Sequence, residues 1–185
     1  MNESSHDLSA LFRTGERIAL LRAALTAPSC TVQQLAAKTR LSKGLVSPYL
    51  ALLEREGLLV RKDRIFTVKN SSWTEAVKRL LNIDRVSSVF RQPAWALGIG
   101  MYGSWAEGTN TDESDLDLWV LCASRPTGVK VAEIEREVSR ALSVEVHLLV
   151  STPEKMETMK ETDEPFYRSF TKQSITLEGE SPVAS

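Results

Sequence analysis

Gly103-Ser104 and Asp115-Leu116-Asp117 are separated by ten residues, and each group carries half of one chemistry. Two aspartates two positions apart in a strand point to one face, while Leu116 and Leu118 point to the other. Like charges on neighbouring sites repel, so the pair calls for a counter-ion, and a divalent, oxygen-seeking metal such as Mg²⁺ supplies one. Gly103 lets the backbone approach a ligand closely, and a helix started just after it aims free N–H groups outward. Ser104 adds a hydroxyl that can bond a phosphate oxygen. Phosphates held at the turn and metal held by the acids describe a site for a nucleoside triphosphate, with metal bridging the phosphates during transfer.

Elements that position these groups are legible on both sides. Trp95–Tyr102 reads as a buried strand leading into the turn, and Leu116–Cys122 as a second strand leading away from the acids. Gly128–Leu142 has the spacing of a crossover helix with acids and bases on its solvated face. It delivers the chain to a third strand, Val144–Val150, where alternation puts Glu145 and His147 on one face. Either can complete the ligand set or stand behind it, and His147 also reads as a half-buried strand residue. The plain alternative, that Asp115 and Asp117 are ordinary strand-edge acids, fits poorly because Asp is depleted in strands.

Gly-Ser, ten residues, then Asp-x-Asp resembles the signature of the minimal nucleotidyltransferases, the small branch of the DNA polymerase beta-like superfamily. The resemblance spans roughly 74–178, including Pro165-Phe166-Tyr167-Arg168 and Ile175–Gly179. It implies a mixed sheet backed by helices, with a third carboxylate on a following strand, for which Glu145 is the match. The implied catalytic and metal residues are Asp115, Asp117 and Glu145, with two Mg²⁺ ions; Glu145 is also the candidate base towards the incoming hydroxyl. The implied nucleotide-binding residues are Gly103 and Ser104, with a nucleoside triphosphate, ATP in this family, as substrate. Some relatives are antitoxins that transfer AMP to a tyrosine of a HEPN-type toxin, so a protein acceptor of that kind is implied by analogy. One departure stands out: Glu107 occupies a position that is often basic in the family, and a negative charge there is unfavourable to a triphosphate. Trp105, next to Ser104, is a candidate to lie against the nucleotide.

The 185 residues carry a net charge of −1, but residues 1–72 hold eleven Lys/Arg against six Asp/Glu, and residues 73–185 twelve against eighteen. That asymmetry predicts two domains, 1–72 and 73–185, the first facing a polyanion and the second a metal, and the elements read in each make the chain α+β. In the first, Arg17–Leu25 reads as an amphipathic helix ended by Pro28, and Thr31 with Gln34 as a capping box opening a short helix. Ser42 is expected to cap a longer helix ending at Gly57, followed by strands Leu58–Arg61 and Ile65–Val68 around Lys62-Asp63-Arg64. Ser72 is expected to cap a helix from Trp73, with Lys69–Ser72 as connector.

Residues 14–70 resemble winged helix-turn-helix regulators of the ArsR/MarR-like kind. The resemblance implies double-stranded DNA as partner, with Ser42, Lys43 and Ser47 near bases or phosphates and Arg61, Lys62 and Arg64 on the wing. Pro48, where the pattern often has a basic residue, is expected to kink the recognition helix. Regulators of this kind often form homodimers to match two half-sites, although no dimer helix is legible here. No apolar run reaches the roughly 18–20 residues of a membrane span, the start lacks the order of a signal peptide, and two distant cysteines read as reduced buried thiols. A cytoplasmic protein without a membrane partner is therefore expected. Two further readings stay open: a transcription regulator whose second domain senses nucleotide or is only structural, and a silent adaptor.

Overall fold

Apolar residues at helical spacing organise the first third of the computed structural model, which describes residues 6–182. The few residues outside that range, 1–5 and 183–185, belong to the two expected domains. The chain divides into two compact units, Met1–Lys78 and Arg79–Ser185.

In the first unit, α1 (Leu8–Leu11) and α2 (Gly15–Thr26) are followed by β1 (Ser29–Cys30), α3 (Val32–Thr39) and α4 (Lys43–Arg55). Leu11, Leu20, Leu21, Leu25, Leu35, Val46, Leu50 and Leu53 are buried, so each helix turns one apolar stripe inward. The capping box forms as expected: Gln34 N donates to Thr31 Oγ1 at 3.2 Å, and Thr31 N donates to Gln34 Oε1 at 2.9 Å. Ser42 does precede α4, but its side chain makes no capping bond. Helix α4 also runs unbroken through Pro48. It closes on Gly57, at φ +72°, with Leu58 N donating to Leu53 O at 3.0 Å. A left-handed residue closing a helix with such a back-bond favours glycine.

The hairpin that follows is β2 (Leu59–Lys62) and β3 (Ile65–Val68), which pairs with β1 in the order β1-β3-β2. Its turn is the two-residue Asp63-Arg64, tighter than expected, and Asp63 accepts the left-handed φ of 57° that such a turn requires. Next comes α5 (Ser72–Ser87), within which the two units meet in sequence. Ser71, not Ser72, caps it: Thr74 N donates to Ser71 Oγ at 3.2 Å.

The second unit is built on β4 (Ala96–Tyr102), α6 (Gly103–Glu107), β5 (Leu116–Cys122), α7 (Gly128–Leu142), β6 (Val146–Ser151), α8 (Pro153–Thr162), α9 (Glu164–Gln173) and β7 (Ile175–Gly179). Its sheet order is β6-β5-β4-β7. Strands β4 and β5 are antiparallel, β5 and β6 parallel through the α7 crossover, and β7 returns antiparallel to β4. This is a mixed sheet flanked by helices, as expected.

Alternation sorts the strands into two faces. Ile99, Met101, Leu116, Leu118, Val120 and Val150 pack with Val86, Phe90, Val138 and Leu142. On the opposite face Trp119 and Leu121 pack with Met156 and Phe170. Gly100 stands opposite Trp119 in the pairing, and a β-carbon on it would lie 2.5 Å from the indole, so only glycine leaves room for that ring. Cys30 and Cys122 are buried and unpaired with each other. No helix among the described residues is long and apolar enough to cross a membrane.

Candidate active site

Leu116 and Leu118 are fully buried on one face of β5, which leaves Asp117 on the other, beside Trp119 and Leu121. Asp115 lies immediately before the strand and is half exposed. Burial raises the Asp117 carboxyl above its ordinary 3.8; His147 offsets part of this, and Asp115 raises it further. The strand thus holds a carboxylate in a place that resists its charge.

The Gly103 turn meets that carboxylate directly. Gly103 has φ +66°, and a β-carbon there would lie 2.7 Å from Asp117 Oδ2. Both conditions select glycine. Ser104 follows, half buried, and its carbonyl accepts from the N–H groups of Gly108, Thr109 and Asn110 at 3.0, 3.0 and 3.2 Å. Those bonds fold the ten-residue connection back on its own start. Asn82, a residue the sequence did not single out, clamps the same turn from α5. Its Nδ2 donates to Trp105 O at 2.8 Å and to Asn110 Oδ1 at 2.9 Å, and both asparagines are buried. A polar residue on the apolar stripe of α5 was the signal available for it.

Trp105 turns inward. It is 2 % exposed, its Nε1 donates to Ser114 O at 3.4 Å, and the Arg85 guanidinium lies 5.4 Å from a ring centroid. The expectation that it lies against a nucleotide is therefore corrected: the first turn of α6 buries its apolar ring in the core. Tyr102, which pairs with Asp117 in the ladder, lies on the Asp117 face instead, half buried, its ring edge-on to Phe170 at 5.2 Å. Its phenol is pushed up to about 12 by burial and then by Asp117.

The third strand brings Glu145 and His147 to this face. His147 stands opposite Asp117 in the parallel register, and its Nε2 lies 3.5 Å from Asp115 Oδ2 and 3.9 Å from Glu145 Oε1. Glu145 falls one residue before β6, with its side chain 72 % exposed. Among the described residues no three Asp, Glu, His or Cys side chains stand as a ready-made metal cage. The donor chemistry nevertheless fits a cation: two carboxylates share a face, and one of them is raised by burial and by the other.

A family model described as nucleotidyltransferase domain matches residues 83–177, the stretch that carries the turn, the acids and both flanking strands. The chain belongs to the nucleotidyltransferase domain family. No curated protein matches it. Among solved structures, this chain is similar to a chain of the tri-AMPylated Shewanella oneidensis HEPN toxin in complex with MNT antitoxin, at 18 % identity and TM-score 0.38, covering 55 % of this chain and 73 % of that one. It is also similar to a chain of a toxin–antitoxin with AMP-PNP, at 20 % identity and TM-score 0.38, covering 54 % and 71 %. A third is the MntA–HepT toxin–antitoxin, at 16 % identity and TM-score 0.34, covering 57 % and 73 %.

The first unit carries a separate candidate surface. Lys43, Ser47, Arg61 and Arg64 line one groove of about 350 Å³, with Thr31 and Gln33 from the start of α3. Ser42 and Lys62 are exposed but do not line it. Arg61 Nε donates to Asp63 O at 2.8 Å, and its guanidinium lies 5.4 Å from the Phe66 ring centroid, which fixes it against the hairpin. Pro48 lines a different groove, with Arg13, Arg17 and Arg55.

Proposed function

We propose that this chain transfers a nucleoside monophosphate from a nucleoside triphosphate, ATP by family resemblance, to a hydroxyl on a protein partner. Its N-terminal unit, read as a winged helix-turn-helix, contacts double-stranded DNA. The observation that carries the reading is the packing of the Gly103 turn against Asp117. It joins the part of the fold suited to phosphate with the part suited to a cation.

In this reading the Gly103 backbone and the Ser104 hydroxyl bind phosphate oxygens, and the Asn82 clamp keeps that turn closed. Asp115 and Asp117 would hold divalent metal, Mg²⁺ by resemblance and two ions in the family pattern. The chemistry such metal would supply there is neutralisation of phosphate charge and stabilisation of the charge that develops in transfer. The acceptor oxygen attacks the α-phosphorus; that bond forms, the bond from the α-phosphorus to the β-bridging oxygen breaks, and pyrophosphate leaves. Glu145, at the open end of the face, takes the acceptor's proton. Side-chain exposures of 51 % for Asp115, 54 % for His147 and 72 % for Glu145 describe an open site, which suits a macromolecular acceptor such as a HEPN-type protein.

The DNA reading is supported by the order of α2, α3, α4 and a hairpin, and by the groove that unites Lys43, Ser47, Arg61 and Arg64. Positive groups gathered along one groove suit a phosphate backbone. A second reading, a catalytically silent adaptor, is favoured by Glu107, half buried at the end of α6 three residues from Ser104, where its negative charge opposes a triphosphate. Calorimetric titration with a non-hydrolysable ATP analogue and divalent metal tests the nucleotide site. Binding that is lost in Asp115→Asn/Asp117→Asn supports it, and binding that persists unchanged sends the nucleotide elsewhere.

A further inference from the structure

Resting on that reading of the Asp115–Asp117 face, we propose that His147, rather than Glu145, supplies the third metal donor, and that the site therefore selects a transition-metal ion such as Mn²⁺ over Mg²⁺.

The strand register places His147 beside the aspartates. In the parallel pairing of β5 with β6, His147 is the direct neighbour of Asp117, on the same face. Adjacent strands lie about 4.8 Å apart, so these two side chains rise side by side from the sheet. Glu145 lies one residue before β6, where its carbonyl accepts from Leu116 N at 2.9 Å and its side chain reaches outward. An ion with bonds of about 2.1 Å holds neighbouring donor atoms roughly 3 Å apart. The 3.5 Å from His147 Nε2 to Asp115 Oδ2 is close to that spacing. Glu145 is the outer partner of the same imidazole, at 3.9 Å, the place of a group that steadies a ligand or receives a proton.

Donor chemistry then sets the metal. Three carboxylates would offer only hard oxygens and three negative charges, the set that suits Mg²⁺. Two carboxylates and an imidazole offer one charge fewer and a softer nitrogen, which Mg²⁺ accepts poorly and a first-row transition ion accepts readily. The chain holds two histidines, His6 and His147, and they lie in different units. A nitrogen signal on bound metal can therefore be traced.

The test uses untagged, full-length protein and Mn²⁺ itself, with a non-hydrolysable ATP analogue present. Binding is read from the electron spin resonance of free Mn²⁺, and ligation from ¹⁴N modulation of the electron spin echo. The expected result is ¹⁴N coupling in the wild type and in His6→Ala, absent from His147→Ala and His147→Asp. Mn²⁺ should bind at least about tenfold tighter than Mg²⁺, a preference His147→Asp removes while retaining metal. Because the coupling is measured on the wild type, failure of a variant to fold does not shelter the proposal. Mn²⁺ bound through Asp115 and Asp117 without ¹⁴N coupling, or lost in Glu145→Ala but not in His147→Ala, overturns the proposal and leaves the nucleotide site standing. No binding of either ion, with or without the nucleotide analogue, overturns both.

Discussion

Gly103 and Asp117 lie against each other: a β-carbon at 103 would lie 2.7 Å from Asp117 Oδ2, and Gly103 holds φ at +66°. The glycine is thus required by its backbone and by the acid it faces. Gly103→Ala should cost about 1–2 kcal/mol from the left-handed backbone alone. Displacing Asp117 should lower transfer at least about tenfold, since small misplacements of reacting groups are expensive. Thermal melts and initial rates on the purified variant separate the two effects. A rate equal to wild type would show that turn and acid do not act as a unit.

Asp117 sets a pH dependence whose sign follows from its raised carboxyl. Burial, and then Asp115, lift it above 3.8 against a partial offset from His147. A carboxyl raised by folding contributes stability that is fully present below its ordinary value and lost as pH rises through the folded value. Metal-free Asp117→Asn should therefore melt higher than wild type at about pH 7, with the gain shrinking as pH falls towards 3.8, while transfer is abolished. Melting curves across that range decide it. An Asp117→Asn protein less stable at neutral pH would mean that the fold uses this negative charge.

Asn82 should behave as a structural clamp on the turn. Its two buried bonds, at 2.8 and 2.9 Å, end on Trp105 O and Asn110 Oδ1. Asn82→Leu should destabilise the protein by about 2 kcal/mol, the cost of leaving buried acceptors without a donor. Asn82→Asp should cost more, because it sets a buried acceptor against acceptors. Chemical denaturation of both variants measures this, and equal stability of Asn82→Asp and wild type would remove the clamp from the account.

Much of the site was legible because it is local. Gly103, Ser104, Asp115 and Asp117 lie within one strand-turn-strand passage, so spacing and alternation suffice to place them. Thr31 and Gln34 form their capping box for the same reason. What escaped depends on distant partners. Asn82 meets Trp105 and Asn110 only after α5 docks on the turn, and Trp105 is buried by that same docking. Glu145 and His147 share a face by alternation, but which of them stands beside Asp117 is set by the β5–β6 register. Ser71 rather than Ser72 caps α5, a shift of one residue that adjacent serines cannot signal.

The groove on the first unit makes a separate prediction. Arg61 and Arg64 line it together with Lys43 and Ser47. If these arginines meet phosphates, Arg61→Ala/Arg64→Ala should weaken binding to duplex DNA of any sequence. It should also reduce the slope of log affinity against log salt by about two, close to one per lost phosphate contact. Fluorescence anisotropy over a salt series reads the slope. An unchanged slope would take this groove out of DNA contact.

Nucleotidyl transfer itself can be measured directly. Purified protein should be incubated with each α-³²P-labelled nucleoside triphosphate, with Mg²⁺ or Mn²⁺, and with host lysate as a source of acceptors, beside an Asp115→Ala/Asp117→Ala control. Label is expected on a discrete protein band that disappears in the double variant. Absence of label from every band with both metals, or label that survives loss of both aspartates, would contradict transfer at this site.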